Sequence, residues 1–330
     1  TPKPSSAASD VYKRQDTDSA TIPYTDTMLH EIDFAQSGDL MFLTHQTVPI
    51  KILKRTGLTS FQLEPFTFSV QGDSTSPSND FTSNQPFAKF QSQGVTLDVN
   101  AVSGTGATIT ASEDYFVSGH VGSRIRYYGT EIIITGFTSA TVVTGTIQGT
   151  IKQKLDINAL RTIEGTAEIE VTHANHGLKQ GDTIIVSEAA TIATLTAGNI
   201  NGTRTLTARI DSNRYRFNAA SGTADATVDG GGAPIITTHA PTTEWAEQAY
   251  SSVRGYPACV TFHENRLWFG GTPAQPDTIW SSKSNDFFNF DVGTAAPADS
   301  IELVASIGAV SYTHLRAHET SLHLVCRLLL

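Results

Sequence analysis

The apolar residues of this chain come in short β-branched and aromatic runs separated by turn residues, and that rhythm leaves room for little besides β-structure. ATITAS (Ala107–Ser112), RIRYYG (Arg124–Gly129), EIIITGF (Glu131–Phe137) and ATVVTGTI (Ala140–Ile147) suit pleated, half-buried surfaces and are punctuated by glycine. Long helices need Ala, Leu, Glu, Lys and Arg at a 3.6-residue period, and no convincing window of that kind lies outside the C-terminal end. Charged residues make up 16% of the chain, against roughly 25% in an average globular protein. The expected fold is all-β and multidomain: a propeller-like or meander framework with two small inserted β-barrel modules.

Both ends read differently from the rest. Asp10–Gln15, DVYKRQ, back-translates as GAT GTG TAT AAG AGA CAG, the end of a transposon-based sequencing adapter, and the preceding SSAAS fits the same adapter in frame. Val310–Thr320, VSYTHLRAHET, reads as the partner adapter in reverse complement, continued by LVCRLLL at Leu324–Leu330. Residues 1–15 and 310–330 are therefore expected to be artefact and are set aside from fold reasoning. The remaining 294 residues, expected to be an internal piece of a longer protein, are enough for two or more domains with their own cores.

Setting the ends aside also changes the chemistry. Lys3, Lys13, Arg14, Arg316 and Arg327 leave with Asp10 and Glu319, so the net charge moves from −10 to −13, with 17 basic and 30 acidic residues. Such a chain repels nucleic acid, and the basic C-terminal stretch offers no membrane or DNA-binding helix. Cys326 goes too, leaving Cys259 alone and no internal disulfide. His314, His318 and His323 drop out of any metal site. No apolar run approaches the roughly 18 residues of a spanning helix, so no membrane insertion is expected.

Residues 16–70 read as a β-meander. LHEIDFAQS alternates Leu29, Ile32 and Phe34 with polar neighbours, DLMFLTH is a buried run, and PIKILKRT follows after Thr47–Pro49. Residues 71–94 begin with QGDSTSPSNDFTSNQ and read as a polar linker. A small β module is expected over 95–160 and a second barrel over 161–232, closed by the Gly230–Gly232 run, which reads as a flexible boundary. Residues 240–309 read as a truncated propeller-like blade: VTFHENRLWFGGT turns at Glu264 and Asn265, and DTIWSSKSNDFFNF supplies aromatics to fill the gap between blades.

QSGDLMFLTHQTVPIKILKR (Gln36–Arg55) and RGYPACVTFHENRLWFGGTPAQPDTIWSSKSNDFFNF (Arg254–Phe290) resemble parts of tailed-phage virion proteins of the tail tube, nozzle or hub region. SEDYFVSGHVGSRIRYYGTEIIITGFTSATVVTGTI resembles a small β module that recurs in such proteins. VTHANHGLKQGDTIIVS with LTAGNINGTRTL resembles the FCCH β-barrel first described in ubiquitin-activating enzymes. That last likeness does not imply ubiquitin chemistry, since neither a nucleotide-binding domain nor a catalytic cysteine in a helical setting is visible.

Each residue with chemical promise has a plainer reading beside it. His173 and His176 form an HxxH pair, but on a strand and its turn they are expected on opposite faces, without a third zinc ligand. Glu31 and Asp33 share a strand face as glycosidase carboxylates can, and as a solvated face also does. Ser284, Asn285 and Asp286 begin an Asp-box-like motif whose Gly and Trp do not follow. Gly104–Gly106 lacks a phosphate-binding helix, and no GxSxG or GKT/S motif occurs. Cys259 enters an apolar run and reads as packing. Trp268, Phe269 and Trp280 fit either a sugar platform or a core, the core being the commoner fate of alternating aromatics. Gly270 and Gly271 are expected where backbones approach or turn at a blade edge, and Arg254 is expected to find an acidic neighbour. No catalytic, cofactor or metal residues are therefore assigned.

What the resemblance implies is a non-enzymatic structural subunit of a bacteriophage tail, located in the virion and partnered by other tail subunits, with homo-oligomeric contacts. An acidic wall would let exiting DNA slide past without fixed phosphate contacts. Two rivals stand beside it: a receptor-binding tail protein recognising host surface glycan, and a polysaccharide-cleaving tail enzyme.

Overall fold

The computed structural model describes residues 22–71, 82–292 and 296–304. The adapter-like ends and residues 72–81 of the expected linker lie outside them. The chain is all-β and multidomain. Among the described residues, helix is confined to the short turns Ser118–His120 and Ala197–Ile200. The chain divides into two compact units: one joins residues up to Ser69 with those from Tyr250 onward, and the other is the continuous stretch Val70–Ala249.

The discontinuous unit contains two four-stranded antiparallel meanders, each in simple up-and-down order. The first runs through Asp33–Ser37, Leu40–His45, Val48–Arg55 and Phe61–Pro65, the second through Cys259–His263, Arg266–Gly270, Thr278–Ser281 and Glu302–Val304. A meander can bury only one face of each strand unless another layer covers it. Here aromatic side chains do the covering, as between propeller blades. Phe42 meets Phe262 edge-on at 5.6 Å, Phe66 stacks on Phe288 at 5.3 Å, and Phe269 stacks on Phe290 at 5.3 Å. The Val260 amide adds a bond of 3.0 Å to the Asp33 carboxylate, tying the leading strands together. The turn between Cys259–His263 and Arg266–Gly270 falls on Glu264 and Asn265, both at positive φ (49° and 56°) as a tight hairpin requires.

Some expectations for this unit are overturned. Thr25–Glu31 forms turns rather than strand, with Met28 N on Thr25 O and Glu31 N on Met28 O. Leu29 lies ahead of the strand and Phe34 falls on its outward face, and both are more than half exposed.

The continuous unit holds two larger antiparallel sheets, each with its own core. The seven-stranded sheet is ordered Phe87–Ala88, Trp245–Gln248, Arg124–Tyr127, Thr130–Phe137, Val142–Thr150, Ser103–Ala111, Leu97–Val99. It packs around Leu97, Ile109, Ile125, Ile132, Val143 and Trp245. Trp245–Gln248 and Phe87–Ala88 thus belong to this sheet, although the sequence reads the former with the last block and the latter as linker. The cross-strand pairs Glu247 with Ala88 and Ile125 with Glu247 decide it.

The eight-stranded sheet is ordered Lys152–Lys154, Ile235–Thr237, Thr183–Ser187, Gly202–Arg209, Arg214–Asn218, Glu168–Thr172, Leu160–Thr162, Asp229–Gly230. Its core is built on Leu160, Ile169, Ile184, Leu206, Tyr215 and Phe217. Contrary to expectation, the triple glycine is no flexible boundary. Gly230 pairs with Leu160, a Cβ on Gly231 would press on the Leu160 and Ile192 side chains, and Ile235–Thr237 continues the sheet beyond it.

Candidate functional site

Within the continuous unit, a broadly open cleft of about 600 Å³ lies where the two sheets meet. Its lining includes Lys89, Arg126, Tyr128, Lys152, Gln153, Lys154, Asn175 and Glu244.

One wall is the hairpin Arg124–Tyr127 and Thr130–Phe137. Its two-residue turn is Tyr128–Gly129, with φ of 49° and 80°. Such turns ordinarily take Asn-Gly, and an aromatic residue held at positive φ costs on the order of 1–3 kcal/mol. Tertiary contacts hold it there. The Tyr128 hydroxyl donates to the His176 carbonyl at 2.9 Å, its amide donates to the Glu244 carbonyl at 3.1 Å, and its ring meets Tyr127 at 4.8 Å. Burial pushes the Tyr128 phenol up to about 12.

Arg126 reaches the same cleft over the face of Phe87, with 4.0 Å from its guanidinium to the ring centroid. Its Nη2 donates to Ser83 O and to Glu131 Oε1, while its Nε is buried without a hydrogen-bond partner among the described residues. Glu131 is fully buried and also accepts from Arg124 Nη1 at 2.9 Å and from the Ser83 amide at 2.8 Å. Among the described residues, two guanidinium groups thus share one carboxylate. Lys89 pairs with Glu244 at 3.3 Å, and Glu244 accepts from Asn175 Nδ2 at 3.2 Å. Lys152 and Lys154, two apart on one strand and both exposed, complete the opposite wall.

Behind that wall lie His173 and His176. Contrary to the sequence expectation, their rings converge, 6.0 Å apart, with both side chains buried against Tyr215. The strand ends at Thr172, and Asn175 turns the chain at φ 51°, so alternation no longer governs which way His176 points. Every ring nitrogen has a partner. His173 Nε2 donates to Gln153 Oε1, and its Nδ1 accepts from the Tyr215 hydroxyl at 3.3 Å. His176 Nδ1 accepts from the Leu178 amide at 2.9 Å, which leaves Nε2 to donate to the Asp211 carbonyl at 3.0 Å. Burial first, and His176 second, push His173 down from 6.5 to about 3, so both imidazoles serve as neutral packing groups. Among the described residues, no cluster of three His, Cys, Asp or Glu side chains could hold a metal ion.

The other sequence candidates disperse into packing. Glu31 lies outside the strand that carries Asp33 and pairs with His45 at 3.1 Å, while Asp33 takes the Val260 amide. Asn285 sits in a tight turn at φ 62°, bracketed by the Lys283–Asp286 bridge. Gly104 and Gly106 lie in Ser103–Ala111, where the pairing with Val142–Thr150 shifts register. Trp268, Phe269 and Trp280 are buried, Trp268 donating to the His263 carbonyl and Trp280 packing on Tyr250 at 5.1 Å. They form core rather than a sugar platform. Gly270 lets Cys259 approach: a Cβ there would lie 2.6 Å from the Sγ. Arg254 accepts the Ala274 amide on its carbonyl.

The arginine that sequence reasoning passed over is Arg266. It is buried and donates to the carbonyls of Ser282, Asp299 and Pro297 at 2.8, 2.5 and 2.6 Å. The cleft itself was also missed. Lys89, Arg126 and the Lys152–Lys154 pair come from three separate stretches of the sequence, each ordinary in its own context.

Among the described residues, no helix is long and apolar enough to cross a membrane. No protein-family model and no curated protein matches the chain. Among solved structures it is similar to the Phage phi92 endosialidase, at a TM-score of 0.23 and 11% sequence identity. That match covers 84% of this chain and 46% of the other, so the chain spans about half the length of the structure it matches, and the likeness is too slight to define a common fold.

Proposed function

We propose that this chain is part of a non-enzymatic structural subunit of a bacteriophage tail, in the nozzle, hub or tube region, working through contacts with other tail subunits and with copies of itself in the virion. The observation that carries the reading is the fate of the phage-like segment Arg254–Phe290. Its aromatic residues Trp268, Phe269, Trp280 and Phe290 are all buried in the packing of one blade. His173, His176 and Asp33 also make structural contacts, the histidines with Tyr215 and Asp33 with the Val260 amide. Residues 161–232 are read as an FCCH-like barrel within the eight-stranded sheet, inserted as a module without ubiquitin chemistry. Residues 1–15 and 310–330 are read as translated adapter.

Proteomics of particles purified from the source material tests the role. Peptides from residues 22–304 are expected to co-purify with tails at the stoichiometry of a structural protein. Their confinement to the particle-free fraction would overturn the proposal. Recovery of the full gene, read through both ends, tests the adapter reading, since neither DVYKRQ nor VSYTHLRAHET should persist.

A further inference from the structure

We infer that the cleft between the two sheets of Val70–Ala249 binds an acidic, carboxylate-bearing saccharide. Lys89, Arg126, Lys152 and Lys154 face it, with Glu244 the one carboxylate in its lining. This concentration of positive charge sits in a chain whose net charge is −10. Asn175, whose Nδ2 is shared with Glu244, adds a carboxamide beside the cations, and neutral polar groups of that kind suit sugar hydroxyls. Two further observations mark the place as built rather than incidental. Tyr128 is held at φ 49° in the wall, and strained backbone of this kind collects at ligand clamps. Arg126 is fixed by Phe87 and Glu131 with its guanidinium partly open to the cleft, a rigid fork of the kind that recognises carboxylates.

Charge density favours a saccharide over nucleic acid. Duplex DNA carries one charge per roughly 1.7 Å of its axis, and the acidic surface beyond the cleft repels so dense a polyanion. An acidic saccharide has about one charge per sugar and can place its carboxylates on the cations while its neutral parts cross the rest. The inference goes beyond a structural role in the tail, and its failure would leave that role untouched.

The test titrates the full chain at low salt with oligogalacturonate, its methyl ester, inorganic phosphate and oligothymidylate. Oligogalacturonate is expected to bind and the uncharged ester to be silent. Lys152→Ala with Lys154→Ala should weaken binding about tenfold or more, the usual scale for losing charge-assisted hydrogen bonds. Lys154→Glu alone should weaken it as well, and Lys54→Ala in the other unit should not, with melting temperatures recorded to show that each variant folds. Four results would overturn the inference: no binding of oligogalacturonate, equal binding of the ester, indifference to the Lys152 and Lys154 changes, or phosphate competing as well as the oligomer. Tighter binding of oligothymidylate, lost in the same variants, would make the cleft a nucleic-acid site and overturn it too.

Discussion

At the scale of single residues, the junction of the two sheets is specified by side chains whose partners are far away in sequence. Gly177 is the sharpest case. Its φ is +65°, and a Cβ there would lie 1.7 Å from the Pro241 carbonyl oxygen, a backbone atom that cannot step aside cheaply. Gly177→Ala is therefore expected to cost about 3 kcal/mol or more, combining positive-φ strain with a backbone clash, as read by urea denaturation. The buried histidines give a pH signature. His173 has its pKa pushed from 6.5 down to about 3, and His176 is lowered as well, in both cases by burial first. Below about pH 6.5 the unfolded chain binds protons that the folded chain refuses. Stability from this pair is complete above that pH and is lost progressively as pH falls towards 3. Thermal melts between pH 7.5 and 4.5 should show the decline, and a flat profile would count against buried neutral imidazoles. The HxxH spacing was legible in the sequence. That the rings converge was not, because the turn at Asn175 breaks the alternation on which the opposite-face expectation rested.

At the scale of elements, the blade Cys259–Val304 shows how a strand pattern becomes a specific structure. Its strands and the Glu264–Asn265 turn follow from alternation and turn chemistry, whereas its locking contacts do not. Arg266 holds three carbonyls of the Ser282 and Pro297–Asp299 segments. Removing the guanidinium with Arg266→Met leaves those acceptors without it in a buried setting, and a loss of about 3 kcal/mol is expected by denaturant titration. The close approach at Gly270 makes a separate prediction. Gly270→Ala should destabilise the blade, and Cys259→Ala should recover part of the loss by removing the sulfur 2.6 Å from the new methyl. A double-mutant cycle would read this as coupling between the two sites, and strict additivity would refute the contact.

At the scale of the whole molecule, the continuous unit Val70–Ala249 contains both of the larger cores. Expressed alone, it is expected to fold cooperatively, with β-type circular dichroism and a single sharp melt. A non-cooperative melt would show that its cores depend on the blade unit. Read alone, the chain already settles the all-β class, the short strands, the turns and the aromatic filling of the blade unit, because alternation, β-branching and turn residues are local properties with local causes. Tertiary structure decides which strands share a sheet. Trp245–Gln248 pairs with Arg124–Tyr127 across more than a hundred residues, and Ile235–Thr237 carries its sheet past the triple glycine. It also decides where charge gathers. Lys89, Arg126 and the Lys152–Lys154 pair lie far apart in the sequence, and they form one basic cleft only because two sheets close against each other, a long-range event that no local pattern encodes.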